Sequence, residues 1–342
     1  MRKRNLDIEE YILDNLRDNP TNITQMIIQE FNVSRQTANN YLIHLINDKK
    51  VKATGNTKAR EYHLLPIIVK EFTYMIQPTL EEDRVWLNDI AIHLEDIEKS
   101  AKSICQYCFT EIFNNAISHS EGTQIYVELK RYYDLIEMVI KDNGIGIFTK
   151  IQQDCHLDDP LQAIFELAKG KLTTEPEDHT GEGIFFVSRM CNGFLILSHE
   201  LSFGHNEYDV DVMLEETDSE DWDGTIVWMK ILPKKHKNMQ KVFKKYSADG
   251  DFGFTKTIIP VSLAKYGDEN LVSRSQAKRI MYRFEKFKAV VLDFQNVEII
   301  GQSFADEIFR VYKNKNPDLN IVYINANKSV EDMIKHVELN TK

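Results

Sequence analysis

The residues best suited to chemistry lie near the middle of the chain. The first are Glu111 and Asn115, in the run Glu111-Ile-Phe-Asn-Asn115-Ala-Ile-Ser-His119. The run reads as helix, and a spacing of four puts both side chains on one helix face. A carboxylate there can orient or deprotonate a water or hydroxyl, and an amide oxygen is a hard ligand suited to Mg²⁺. The second set, Asp142-Asn-Gly144-Ile-Gly146-Ile147, directly follows the apolar strand pattern over 136–140. An aspartate at a strand end can accept a hydrogen bond from the exocyclic amine of a base, and glycines let backbone approach a flat ring. The third set is Thr180-Gly181-Glu-Gly183-Ile184, opening a helix over 184–192. Glycines ahead of a helix expose N–H groups that can cradle phosphates. A Rossmann turn would need a third glycine where Thr149 stands, and no P-loop sequence occurs.

The elements that must hold these residues form a mixed α/β (α+β) pattern in several domains, as a length of 342 residues implies. Residues 67–233 read as one α/β domain: a strand over 67–76, helices over 81–95 and up to 119, and strands at 124–131 and 135–141. A loop over 148–180 follows, then the helix at 184–192 and strands at 194–199, 208–214 and 225–231. A loop that long in a compact domain is usually functional. Residues 234–251, with KKHKN and KVFKK, read as a basic linker. Residues 252–342 read as a smaller α/β domain, alternating strands (254–262, 289–294, 320–325) with helices (267–286, 303–314, 328–338).

Residues 1–66 read as three helices, over 6–18, 23–31 and 35–47, followed by a β-hairpin around Gly55-Asn56. This is the pattern of a winged helix-turn-helix. Ser34, Arg35, Gln36, Thr37, Asn39 and Asn40 at the start of the third helix are polar side chains of the kind that reach base edges and phosphates. Lys58 and Arg60 on the hairpin suit backbone contact. Docking of a protein by the same unit is the alternative reading. The net charge of −11 hides an asymmetry, with about +2 on residues 1–65 and −13 on the remainder. An acidic body repels nucleic acid, so DNA contact is expected at the N-terminal end.

In order and spacing, the three central motifs resemble the N, G1 and G2 boxes of the GHKL (Bergerat-type) ATPase superfamily. That superfamily includes histidine kinases, DNA gyrase, mismatch-repair ATPases and the anti-sigma-factor serine kinases. The resemblance implies an α/β sandwich binding ATP and Mg²⁺. It gives Asn115 the metal, Asp142 the adenine amino group, and Gly144 and Gly146 the adenine wall. Residues 148–180 would be the ATP lid, with Lys171 reaching a phosphate, and Gly181 and Gly183 would line the phosphates. Thr225, in Asp223-Gly-Thr225, matches the adenine-side threonine. Glu111 resembles the general base of the hydrolases and serine kinases in this group. A sensor histidine kinase is not expected, since His93 is the only phosphoacceptor candidate before residue 100, on an ordinary amphipathic pattern.

Residues 290–306 resemble STAS-like domains, the partners of anti-sigma kinases, in which a buried strand leads to a helix with a phosphorylated serine at its start. Ser303 falls at that place, although the family's Asp-Ser-Ser-Gly reads Gly301-Gln-Ser303-Phe304 here. A capping box with Asp306 is the other reading of Ser303.

Four cysteines in this length do not form a disulfide framework, and Cys105-x-x-Cys108 inside a helical pattern reads as small buried apolar residues. No run approaches the ~20 apolar residues of a membrane span, and the expected location is the cytoplasm. The function these observations predict is an ATP- and Mg²⁺-dependent conformational switch controlling DNA binding, in a homodimer. The alternatives are an ATPase or a serine/threonine kinase acting on its own or a partner STAS domain, and an ATP-gated dimerisation module.

Overall fold

A computed structural model describes residues 2–56, 59–171, 181–206, 211–215, 223–251, 253–265 and 270–339. Three helices open the chain: α1 (Arg2–Asn15), α2 (Ile23–Phe31) and α3 (Arg35–Asn47). Ser34 starts α3 by accepting a hydrogen bond from Thr37 N–H at 3.1 Å. β1 (Val51–Thr54) and β2 (Glu61–Leu64) then pair antiparallel. The apolar stripes of the helices, including Ile12, Leu16, Ile27, Leu42 and Leu45, close on Val51, Tyr62 and Leu64 as a separate small core.

The middle of the chain is built on a seven-stranded sheet. In chain order its elements are β3 (Ile68–Met75), α4 (Glu82–Val85), α5 (Lys99–His119), β4 (Gln124–Arg131) and β5 (Ile136–Asp142). There follow α6 (Ile147–Asp154), α7 (Pro160–Lys169), α8 (Gly183–Met190), β6 (Gly193–Ser198), β7 (Leu201–His205), β8 (Asp211–Glu215) and β9 (Thr225–Ile231). The strand order is β3-β4-β5-β9-β6-β7-β8, and every neighbouring pair is antiparallel. Strict alternation of buried and half-buried residues along β5 and β9 turns one sheet face onto α5 and α8.

Strand β7 falls where no strand was expected, and two longer segments also differ from their sequence reading. The expected loop over 148–180 carries α6 and α7 instead. Phe148 and Ile151 bury one side of α6, and Ala163, Ile164, Leu167 and Ala168 bury α7. Asp159 starts α7 by accepting from Leu161 N–H at 2.9 Å, with Pro160 at the first helical position. Residues 172–180 lie outside the described residues. Likewise, the basic segment 234–251 contains a packed helix, α9 (Met239–Lys245).

The last unit is a parallel three-stranded sheet, β10 (Lys256–Pro260), β11 (Ala289–Asp293) and β12 (Asn320–Ile324) in that order. Between and after its strands come α10 (Arg274–Met281), α11 (Gln302–Asp306), α12 (Lys313–Lys315) and α13 (Lys328–Leu339). α10 is shorter than the helix expected over 267–286 because a Ser273–Gln276 capping box fixes its start.

One hydrophobic core runs without interruption from the seven-stranded sheet into this last unit. Phe185 of α8 stacks on Phe254 at 4.6 Å between ring centres, and Phe186 meets Phe243 of α9 at 4.5 Å. Beside them the ammonium of Lys169 is fully buried. It pairs with Glu166 at 2.6 Å and donates to the carbonyl of Tyr282 at 2.7 Å, just past α10. Arg283 approaches the other oxygen of Glu166 at 3.7 Å. Burial pulls the Lys169 ammonium below its usual range, opposed mainly by Glu166.

The N-terminal unit docks by a different route. Arg17 makes a bidentate pair with Asp134, and Lys234 bonds to Asp14 at 2.7 Å. Replacing Lys169 by Met is expected to cost about 3 kcal/mol or more, because Glu166 is left buried beside Arg283 alone. Lys288→Met, which breaks an exposed pair with Asp251, should leave stability nearly unchanged. Thermal denaturation of the full chain compares the two, and equal costs would contradict the buried-pair account.

Candidate functional site

The three central motifs converge on one cavity of about 360 Å³, under the end of β5 and between α5, α6 and α8. Glu111 and Asn115 line it from α5, as their spacing of four requires, and Asp142 and Thr225 line it from adjacent strands. Gly146, Gly181 and Gly183 complete this group on the turn after β5 and at the start of α8. Apolar walls come from Ile140, Ile147, Ile151 and Val227.

Asp142 is the most constrained of these groups. Its Oδ1 accepts from Gly144 N–H at 2.9 Å and from Thr225 N–H at 3.2 Å, and only 6% of the residue is exposed. Burial raises its pKa above the ordinary carboxylate value, and the hydrogen bonds from Gly144 and Thr225 hold the rise in check. Thr225 Oγ1 in turn accepts from Ile147 N–H at 3.0 Å. One carboxylate and one hydroxyl thus fix both the turn after β5 and the start of β9.

The glycines are dictated by close approach. A Cβ on Gly144 would lie 1.9 Å from the carbonyl oxygen of Ser120, and one on Gly224 would lie 2.0 Å from that of Asp142. Gly146 has φ +84°, a backbone conformation that side chains disfavour. On the opposite side, a Cβ on Gly183 would come within 2.2 Å of Glu111 Oε2, so the first turn of α8 sits directly against that carboxylate.

Two of the nominated residues stand apart from the cavity lining. Gly144 lies behind it, packed on Ser120. Lys171 does not line the cavity: its ammonium donates to Lys286 O at 2.9 Å on the C-terminal unit, although its charge also acts on Glu182 of the lining. Thr180 and Lys58 lie outside the described residues.

Ser120, Lys150, Glu182 and Gly170 also line the cavity and were not singled out in the sequence. Glu182 had a visible signal, being the residue between the two glycines of the third motif. Burial raises its pKa and Lys171 opposes the rise. Asn143 is structural: its Oδ1 accepts from Thr123 N–H and Gln124 N–H, each at 2.9 Å, tying the turn to the start of β4.

At the N-terminal unit, Arg35, Gln36 and Asn40 are exposed on the first turns of α3, with Thr37 and Asn39 half-buried beside them. Ser34 is occupied as the cap, 2.9 Å from Thr37 Oγ1. Arg60 is exposed and lies over the ring of Tyr62.

Ser303 is exposed in the first turn of α11. The capping-box reading of this serine fails, because the helix begins one residue earlier with Gly301 as its cap, and Asp306 pairs with Arg310 and Arg274. Cys105, Cys108 and Cys191 are buried and unbridged, with Cys108 and Cys191 sulfurs 3.7 Å apart, and burial raises the Cys105 and Cys108 thiols. Among the described residues no cluster of three or more His, Cys, Asp or Glu side chains is placed to hold a metal. No helix there is long and apolar enough to cross a membrane.

Residues 276–331 match the family model of a STAS-like domain of unknown function (DUF4325). The match covers α10 through the first turn of α13, in agreement with the resemblance read around Ser303. No curated protein matches the chain.

Because the atom facing Gly144 is a main-chain carbonyl, Gly144→Ala should destabilise the protein by about 1–3 kcal/mol. Gly253→Ala, where a Cβ meets nothing within 4 Å, should stay within about 0.5 kcal/mol of the parent. Thermal melts of the two variants test this, and an unshifted Gly144→Ala would refute the close approach.

Proposed function

We propose that the chain binds ATP with Mg²⁺ in the cavity between α5, α6 and α8, in the manner of the GHKL ATPases. In this reading it uses that occupancy to control DNA binding by a winged helix-turn-helix at its N-terminal end. The observation that carries the reading is the meeting of Asp142, Asn115, Gly181 and Gly183 around one cavity. They come from sequence segments far apart, and each group suits one part of a nucleotide.

A flat base fits between apolar side chains with a buried acceptor, Asp142, at its edge. The amides at the start of α8 suit phosphate oxygens. Asn115 offers a single hard oxygen. This fits Mg²⁺, which is usually held by one or two protein ligands together with substrate phosphates.

The shared core and the Glu166–Lys169–Arg283 contacts support a route from the cavity to the STAS-like unit, since Leu167, Gly170 and Phe185 belong to both the cavity wall and that junction. Nucleotide would act by binding one arrangement of these elements better than another. A coupling of about 1–3 kcal/mol, or roughly 5- to 150-fold in DNA affinity, is the scale expected of such linkage. Use of the nucleotide as a phosphoryl donor or hydrolytic substrate is a second reading, and it is favoured by Glu111 lying against the first turn of α8.

Calorimetry with ATP and Mg²⁺ tests the first reading. Asp142→Asn should weaken binding by about 2 kcal/mol, the scale of a hydrogen bond to a charged group. It should not lower stability, since the amide oxygen can still accept from Gly144 and Thr225. The sign follows from the raised pKa: the folded chain holds the Asp142 proton more tightly than the unfolded one, so that contribution is full below the unfolded value and is lost as pH rises through the folded one. At neutral pH the neutral amide should therefore melt no lower than the parent. Absence of adenine-nucleotide binding by the parent protein would end the proposal. For the second reading, Glu111→Ala should reduce phosphate release by about 10²- to 10⁴-fold and Glu111→Asp should retain part of it. No release by the parent would remove the enzymatic role.

A further inference from the structure

The charge on the segment joining the two α/β units has no role in the cavity. Between Pro233 and Asp249 the chain holds six lysines and His236 with no aspartate or glutamate, in a protein of net charge −11. The segment is held near both ends: Asn192 Nδ2 donates to Lys235 O at 3.1 Å, and Ala248 N–H donates to Thr255 Oγ1 at 2.9 Å. Between them Asn238 Oδ1 caps α9 by accepting from Lys241 N–H at 2.9 Å. Phe243 of α9 packs against Phe186 while remaining 37% exposed, and the buried Tyr246 just after the helix packs against Phe185 at 4.8 Å.

The opposite side of this segment is basic. Lys235, Lys241 and Lys244 are exposed and, among the described residues, make no ion pair. Lys241 and Lys244 are three residues apart and share one helix face. The run begins at the surface of the N-terminal unit, because Lys234 bonds to Asp14 and Glu10 of α1.

Like charges held on a rigid surface repel one another, and a polyanion relieves that cost. Lysines are flexible point charges suited to phosphates, whereas base reading favours planar or bidentate groups. Tyr246 is buried, and the partly exposed Phe243 is already packed on Phe186 and Tyr107, so charge rather than free apolar area is the larger feature this surface offers a partner.

We propose that Lys235, Lys241 and Lys244 form a phosphate-contacting surface for duplex DNA, continuous with the N-terminal unit and indifferent to sequence. This inference rests on the reading of that unit as a DNA binder. It extends the footprint from one unit to the junction that also touches the cavity wall through Phe185.

The test is fluorescence anisotropy of the full chain with a mixed-sequence duplex of about 30 base pairs. Binding is measured between about 50 and 200 mM salt. Removing three phosphate contacts with Lys235→Gln, Lys241→Gln and Lys244→Gln together should make the slope of log affinity against log salt shallower by about 2.7. Affinity should fall equally for unrelated duplexes, with the melting temperature unchanged. An unaltered slope and affinity in the triple variant, with binding still weakened by Arg35→Glu, would overturn the inference and leave the reading of the N-terminal unit standing. No duplex binding by the parent chain would overturn both.

Discussion

The arrangement of the two α/β units depends on one buried cation. Lys169 ends α7 with its ammonium out of water, and Glu166 together with the carbonyls of Arg279 and Tyr282 at the end of α10 compensates for that loss. An ion in this position cannot tolerate separation of the units, because its partners come from both. It lies one residue before Gly170, where the backbone takes φ +80° and where a Cβ would strike Phe254 and Phe185. The chain must therefore turn here, at the edge of the cavity and with the STAS-like unit packed against the turn. The basic helix α9 shares the same aromatic cluster. Three separate parts of the sequence meet at this one junction.

The cavity obeys a different constraint, which is the closeness of backbone to backbone. Gly144 sits on Ser120, Gly224 on Asp142 and Gly183 on Glu111. Each contact brings together residues that are 24 or more positions apart in the sequence. Asp142 is central because it works inward and outward. Its Oδ1 organises two backbone N–H groups, and the residue also lines the cavity. A carboxylate that is already positioned by the fold has little reorganisation left to undergo when a ligand arrives, which is what preorganisation means energetically.

Much of this was legible in the sequence, for identifiable reasons. The i, i+4 spacing of Glu111 and Asn115, the apolar alternation before Asp142 and the glycines before α8 are local signals, and local signals fix local geometry. The small core of the first three helices was readable in the same way, since their stripes need only one another and a short hairpin. What escaped was tertiary. Lys171 looked like a phosphate ligand because a lysine in a long loop has no visible partner, yet Lys286 O lies more than a hundred residues away. The two helices inside the expected loop carried a readable start at Asp159-Pro160, but their burial depends on a core that extends into the C-terminal unit. Ser303 and Asp306 had the spacing of a capping box. Asp306 was claimed instead by two arginines, one of them from α10.

The shared core also bears on what a STAS-like unit of unknown function can do in this chain. A unit joined by a flexible tether communicates only through effective concentration. A unit joined by continuous packing cannot shift without altering what it packs against, since protein interiors are close-packed and switch between discrete arrangements. The boundary between the two α/β units belongs to the second kind. Phe185 is at once a cavity wall, a ring stacked on Phe254 and part of the first turn of the helix whose start lines the cavity. Any ligand that repositions that turn must move the stack, and any partner that pulls on β10 must disturb the same turn. Linkage makes those two effects equal in free energy. The STAS-like unit is therefore placed to act on the cavity as strongly as the cavity acts on it.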